Sequence, residues 1–166
     1  MGFRQALEAE IPALRRYARA LARDRDVADD LVQDTLLRAL GAESRWRDGN
    51  LRTWLFTILT NLNRNRLRGL ARRPPRAEVE TIDLAHAAPA PSAEMYDILR
   101  ALDQLTTEQR EILLLVALEG LSYAEGAEVL GIPLGTVMSR LSRARAAFRT
   151  ALGGERPAST RLRIVK

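Results

Sequence analysis

The sequence predicts an all-α protein: two small helical domains joined by a flexible linker. Three observations carry this. Apolar residues recur at helical spacing through residues 1–73 and again through 93–152. No segment alternates apolar and polar residues for long, and β-branched residues are scattered rather than grouped. Between the periodic stretches lies 74–92, PPRAEVETIDLAHAAPAPS, rich in Pro and Ala and without sustained periodicity. Residues 153–166 open with a Gly-Gly stop and continue as a basic tail. Each half holds roughly 60–70 residues, so each is expected to build its own modest core and to be marginally stable alone.

The elements can be justified in order. The start, MGFRQALEAEIPALRR, holds acids and no apolar run, so it does not read as a secretory signal. In 24–40, DRDVADDLVQDTLLRAL, Ala28, Leu31, Val32, Thr35, Leu36 and Ala39 share one helical face. Asp29, Asp30, Gln33, Asp34 and Arg38 lie away from it. Asp30 and Asp34 are one turn apart and could share a cation. No histidine or further acid joins them in sequence, so no metal site is expected, and a partner-binding face is the sharper reading.

Residues 50–70, NLRTWLFTILTNLNRNRLRGL, place Leu51, Trp54, Leu55, Ile58, Leu59 and Leu62 on an apolar stripe. Thr53, Thr57, Asn61, Arg64 and Arg68 form an acid-free ridge on another face. Polar side chains backed by arginines suit contact with nucleic acid. Before this helix stands a short loop containing Trp46, Arg47, Asp48, Gly49 and Asn50. Trp46 is either a core residue or a stacking platform for an unpaired base.

In the second half, Thr106 or Thr107 can cap a helix whose Ile112–Leu118 run is apolar nearly all round and therefore buried. Ser122 with Glu125 makes a capping box for a helix running to about Leu130. Gly131 can take the left-handed conformation that ends it, and Pro133 suits the first turn of the next helix. Gly126 stands mid-helix where an apolar residue is usual, at a cost of about 1 kcal/mol relative to Ala. Small Ala127, the Gly131 turn, and apolar Ile132 and Val137 have the spacing of a DNA-binding helix-turn-helix. Its second helix presents Thr136, Ser139, Arg140, Arg143 and Arg145. Arginine bridges guanine O6 and N7 or holds phosphate, and Ser and Thr suit either.

Composition narrows the function classes. The chain has 166 residues, 46% hydrophobic and 28% charged, with 26 basic and 21 acidic side chains and a net charge of +5. Lys166 is the only lysine; every other basic residue is arginine. Charge is uneven: residues 1–73 carry 15 arginines against 9 acids, whereas 93–152 carry 6 against 8. Yet Pro133–Leu152 holds four arginines and no acid, so charge is concentrated on one helix. Cysteine is absent, which excludes disulfides, thiolate zinc sites and cysteine catalysis. His86 is the only histidine, which removes most histidine metal sites. No run approaches the ~20 apolar residues that span a bilayer, so an intracellular, cytoplasmic protein is expected.

Two stretches together carry a family resemblance. ADDLVQDTLLRAL followed by WRDGNLRTWLFTILTNLNRNRLR is similar to region 2 of the extracytoplasmic-function (ECF) sigma factors of bacterial RNA polymerase. LTTEQREILLLVALEGLSYAEGAEVLGIPLGTVMSRLSRARAAF is similar to region 4. The resemblance covers about residues 3–152, with both motifs in the family's order and spacing. It implies a non-enzymatic alternative sigma factor that binds core RNA polymerase, directs it to particular promoters and opens them. No cofactor is implied. Asp30, Leu31, Gln33 and Asp34 match the segment that docks on polymerase. Asn61, Arg64, Asn65 and Arg68 match the helix that meets the −10 element. Trp46, Arg47, Asp48, Gly49 and Asn50 match the loop that captures a flipped non-template base. Thr136, Ser139, Arg140, Arg143 and Arg145 match the helix that reads the −35 element. An anti-sigma factor is the implied inhibitory partner.

Aromatics in the first half are few, Tyr17, Trp46, Trp54 and Phe56 among them, which points to limited melting power and stringent promoter dependence. The isolated chain is expected to bind duplex promoter weakly, with its domains unregistered until polymerase fixes them. Three other readings are set against this one. A helix-turn-helix regulator acting without polymerase needs a dimer zipper or ligand pocket that residues 1–73 do not suggest. A sigma-mimic adapter has no need of a basic recognition helix. A metal nuclease using Asp29, Asp30 and Asp34 lacks a second ligand cluster.

Overall fold

A computed structural model describes residues 2–46, 49–73 and 91–153. The greater part of the expected linker, the tail beyond residue 153, and Arg47 and Asp48 lie outside the described residues. The described residues form seven α-helices and no strand. These are α1 (Phe3–Ala22), α2 (Arg25–Gly41), α3 (Leu51–Ala71), α4 (Ala93–Asp103), α5 (Thr107–Leu113), α6 (Tyr123–Leu130) and α7 (Leu134–Ala151). A short 3-10 turn, Glu43–Arg45, follows α2, and α5 runs on into a π-helical turn, Leu114–Leu118.

The helix ends follow from local chemistry. Asp24, Asn50, Ser92, Thr106 and Ser122 cap α2 to α6 in turn, each accepting from a backbone N–H in the first turn. Thr106 with Gln109 and Ser122 with Glu125 complete capping boxes. Gly131 ends α6 at φ 64°, in the left-handed region where a Cβ is disfavoured. Pro133 sits one residue before α7 as its N-cap, not inside its first turn.

The halves pack on one another, which corrects the expectation of two separate cores. Leu14, Tyr17, Leu55, Phe56 and Leu59 of the first half join Ile112, Leu115, Val137 and Leu141 of the second in one buried cluster. Helices α1, α2 and α3 pack against one another, and α3 lies also against α6. This second neighbour explains why the buried face of α3 departs from the expected stripe. Leu55 and Leu59 are fully buried as expected, but Trp54, Ile58 and Leu62 are only partly covered. Thr53, Phe56, Thr60 and Asn63 are buried instead. Their polar atoms are mostly matched: the Thr60 and Tyr17 hydroxyls bond at 2.9 Å, and Asn63 Oδ1 accepts from Arg66. Burial pushes the Tyr17 phenol well above its ordinary pKa. Gly126 has its reason in packing: a Cβ there would stand 3.3 Å from Ile112 Cδ1.

Candidate nucleic-acid and polymerase interfaces

The second half forms a helix-turn-helix from α6, the Gly131 turn and α7. Val137, Leu141 and Ala144 are the buried face of α7. Thr136, Ser139, Arg140 and Arg143 recur at three- and four-residue steps on one side of it, Ser139 and Arg143 exposed and Thr136 and Arg140 half-exposed. Arg145 does not join them. It lies nine residues from Thr136, about two and a half turns, and so on the opposite flank. No arginine of α7 is ion-paired with an acid among the described residues. Exposed Leu134 and Met138 add apolar surface to its first turns.

The first half presents two surfaces. On α2, Asp30, Gln33 and Asp34 are exposed on one face. Leu37, seven residues after Asp30, continues that face with 59% of its surface open. The sequence reading missed Leu37, although the seven-residue step was available. Leu31 does not belong here: it is buried in the core at 5% exposure, because it stands on the face α2 turns to its neighbours.

On α3, Asn61, Asn65 and Arg68 are exposed, and the Arg68 guanidinium donates to Asn65 Oδ1. Thr53 is buried, with a hydroxyl that finds no partner, and Thr57 donates back to the Thr53 carbonyl. The expected polar ridge is therefore open only from Asn61 onward. Trp46 is half-buried, its ring 5.4 Å from that of Phe3. Gly49 and Asn50 are exposed at the helix start, and Arg47 and Asp48 lie outside the described residues.

Arg64 has a different fate. Its Nε and Nη2 donate to both oxygens of Glu111 on α5, at 3.0 and 2.6 Å. That hydrogen bonding holds the guanidinium pKa above its ordinary value. Glu111 is itself fully buried. Glu119, just past the π-helical turn, is also buried and takes Arg16 at 2.9 Å and Arg52 at 3.1 Å. Arg52 further pairs with Glu10 at 2.6 Å and lies over the Phe56 ring. Asn50 Nδ2 donates to Glu125 at 2.6 Å, and Arg23 of the first half pairs with Asp103 at 2.6 Å. Sequence reasoning found none of these ion pairs and hydrogen bonds, which join residues 42 to 103 positions apart.

Comparison with known proteins agrees with this arrangement. Residues 96–148 match the family model described as Sigma-70, region 4, and residues 7–60 match the one described as the Sigma2 domain of PhyR. The chain is 43% identical to ECF RNA polymerase sigma factor EcfG of Rhodopseudomonas palustris (strain TIE-1), over 86% of this chain and 80% of that one. It is 39% identical to the probable RNA polymerase sigma-C factor of Mycobacterium bovis, over 87% of this chain and 82% of the relative. Among solved structures it resembles the sigma factor RpoE in complex with the anti-sigma factor NepR from Bartonella quintana. That match has a TM-score of 0.77 at 34% identity and covers 93% of this chain and 98% of that one. No helix among the described residues is long and apolar enough to cross a membrane. With a helix-turn-helix bearing acid-free arginines, a second helical half and these relatives, the chain belongs to the ECF sigma factors and is an alternative sigma factor of RNA polymerase.

Proposed function

We propose that this sigma factor divides its work between its halves, with 1–73 engaging polymerase and the −10 element and 93–152 reading the −35 element. The observation that carries this is the presence of three chemically different surfaces on three helices: a mixed acidic and apolar face on α2, a polar face late on α3, and an arginine face on α7. Asp30, Gln33 and Asp34, joined by Leu37, dock on core polymerase; apolar contact flanked by carboxylates suits a protein surface better than DNA. Asn61, Arg64, Asn65 and Arg68 meet the −10 element, and the loop from Trp46 to Asn50 receives the flipped base. Thr136, Ser139, Arg140 and Arg143 enter the major groove at −35, while Arg145 on the far flank holds a phosphate at most. The protein acts in the cytoplasm, where polymerase is, without catalysis of its own. An anti-sigma factor, as in the complex of the RpoE relative, is its inhibitory partner.

One observation favours a second reading, a sigma-mimic adapter: the match of the first half to a PhyR domain. One assay separates the two. Run-off transcription with core polymerase on fragmented genomic DNA yields discrete new starts that depend on this protein and disappear with Arg140→Ala or Asn61→Ala. Absence of protein-dependent transcripts from a folded, inhibitor-free sample supports the adapter instead.

A further inference from the structure

We infer that Phe3, the first residue of α1, is a positioning residue for base capture: its ring holds the Trp46 indole as a fixed platform for an unpaired base. The inference rests on the reading of Trp46 as part of the base-capture loop. The partly buried apolar side chains packed on the buried cluster include Phe3 and Trp54 but not Trp46. The Trp46 indole is half-buried, with the Phe3 ring 5.4 Å away at an interplanar angle of 48°. Phe3 thus touches both the core and Trp46, and links one to the other. The remaining aromatics of the first half are committed elsewhere. Tyr17 and Phe56 are fully buried and meet edge to face at 5.2 Å. Trp54 packs on the core. Phe3 and Trp46 are the rings left to serve a base.

A stacking platform needs a fixed orientation as well as an open face. The backbone supplies only part of that. The Trp46 N–H donates to the Ala42 carbonyl at 3.0 Å across the 3-10 turn, and the chain leaves Trp46 extended, at φ −71° and ψ 113°. Neither feature fixes the side-chain torsions of the indole. A ring free to turn loses rotamer entropy when a base settles on it, and that loss weakens stacking. A tilted aromatic neighbour attracts the indole and restricts it beforehand. The loop is held at its other end too, where the Asn50 side chain accepts from the Thr53 N–H at 3.2 Å. The α1 end of the first half therefore sets the geometry of a loop between α2 and α3. No local spacing in the sequence joins Phe3 to Trp46.

The test uses holoenzyme, this chain with core polymerase, on a forked template from a promoter mapped by run-off transcription. The −35 element is duplex, and the −10 element is single-stranded on the non-template strand. Abasic sites are placed one at a time through the −10 element. In the parent, one position should cost far more affinity than the rest, and it marks the captured base. Trp46→Ala should bind the intact fork about tenfold more weakly, as expected for loss of one base–aromatic stack, and should lose that penalty. Phe3→Ala should bind the intact fork about threefold more weakly, with the penalty at that position reduced by the same factor. Phe3→Tyr keeps the ring and should match the parent. A residue with a merely structural role would weaken all forks alike, abasic ones included, and that result overturns the inference. So does a Phe3→Ala chain that binds every fork as the parent does. Should Phe3→Ala fail to fold by circular dichroism, Phe3→Leu takes its place: it keeps an apolar side chain on the core, removes the ring, and should show the same position-specific loss. Equal penalties at every position in the parent would deny base capture and the role of Phe3 together. If Trp46→Ala keeps the penalty, the reading of Trp46 as the platform fails and the role of Phe3 with it. If Trp46→Ala removes the penalty and Phe3→Ala does not reduce it, the role of Phe3 alone fails.

Discussion

Helices α3 and α7 both carry rows of arginines, yet they stand in opposite electrostatic situations. On α7, Arg140, Arg143 and Arg145 meet no acid among the described residues. On α3, Arg52 and Arg64 are both tied to buried carboxylates from the other half. The difference lies in what each helix packs against. α7 buries one face and leaves the rest to solvent, whereas α3 is covered on one side by α1 and α2 and on the other by α6. A covered helix must pair its charges or lose the energy of desolvating them. The half proposed to open DNA is thus guarded, while the half proposed to read duplex DNA is not.

The comparison assumes that the halves stand or fall together, and the largest effect tests that. Leu141→Ala truncates a side chain buried beneath α7 in the second half and should cost about 2–5 kcal/mol. Both tryptophans, Trp46 and Trp54, lie in the first half. Urea unfolding followed by their fluorescence should shift to lower denaturant by that amount. A tryptophan transition left in place would mean separate cores, and the guarded helix would lose its meaning.

Next in size is the guard itself. Glu119→Ala leaves Arg16 and Arg52 without their shared carboxylate. Removing one member of a buried pair costs about 3–5 kcal/mol. The Arg16 side chain is 53% exposed and solvent can replace part of the loss, so about 1–3 kcal/mol is expected. Asp103→Ala is the control, since the pair Arg23–Asp103 is open on both sides and should cost under about 1 kcal/mol. Equal effects in thermal melts would show that burial of Glu119 carries no special weight.

The contrast between the helices also explains what could be read beforehand. α7 was legible because its face depends on its own spacing: Thr136, Ser139, Arg140 and Arg143 lie where a lone amphipathic helix would put them. Arg145, two and a half turns from Thr136, falls off that face by the same spacing. The caps were legible as well, since Ser122 and Glu125 act three residues apart. α3 was read less well, because a helix with neighbours on two sides buries polar residues such as Thr60 and Asn63 once partners exist elsewhere in the chain. The Arg64–Glu111 pair could not be inferred at all: nothing local tells an arginine which of the eight acids of the second half, 30 to 64 residues away, will fold onto it.

A smaller effect concerns pH. The Ser122 backbone N–H donates to Glu125 at 2.7 Å, and this with the Ser122 side chain holds the carboxyl below its ordinary 4.5. Because the folded value is the lower one, the stabilisation is fully present above pH 4.5 and is lost as pH falls through the folded value. Glu125 is largely solvated, so less than about 1 kcal/mol is involved. Thermal melts of the parent and Glu125→Gln on a descending pH series should converge at the acid end. Parallel curves would deny Glu125 any part in acid sensitivity, and with it a charged tie to Asn50.

The smallest effect is also the most local, and it probes a contact within the unguarded half. Gly126→Ala should gain about 1 kcal/mol of helix propensity in α6. The new Cβ would stand 3.3 Å from Ile112 Cδ1, a few tenths of an ångström too close, and 3.9 Å from Val116 Cγ2. Ile112 is fully buried, so its terminal methyl has little room to turn away. The two effects should nearly cancel, leaving the single variant within about 0.5 kcal/mol of the parent. Ile112→Val removes the obstructing methyl at a cost of about 0.5–1.5 kcal/mol. In that background Gly126→Ala should become stabilising, with a coupling of about 0.5–1 kcal/mol in a double-mutant cycle. Additive effects would mean that the glycine is there for something other than the approach of Ile112. Because α6 touches α3 as well as α7, an altered promoter affinity in the single variant would show that this packing reaches the guarded helix.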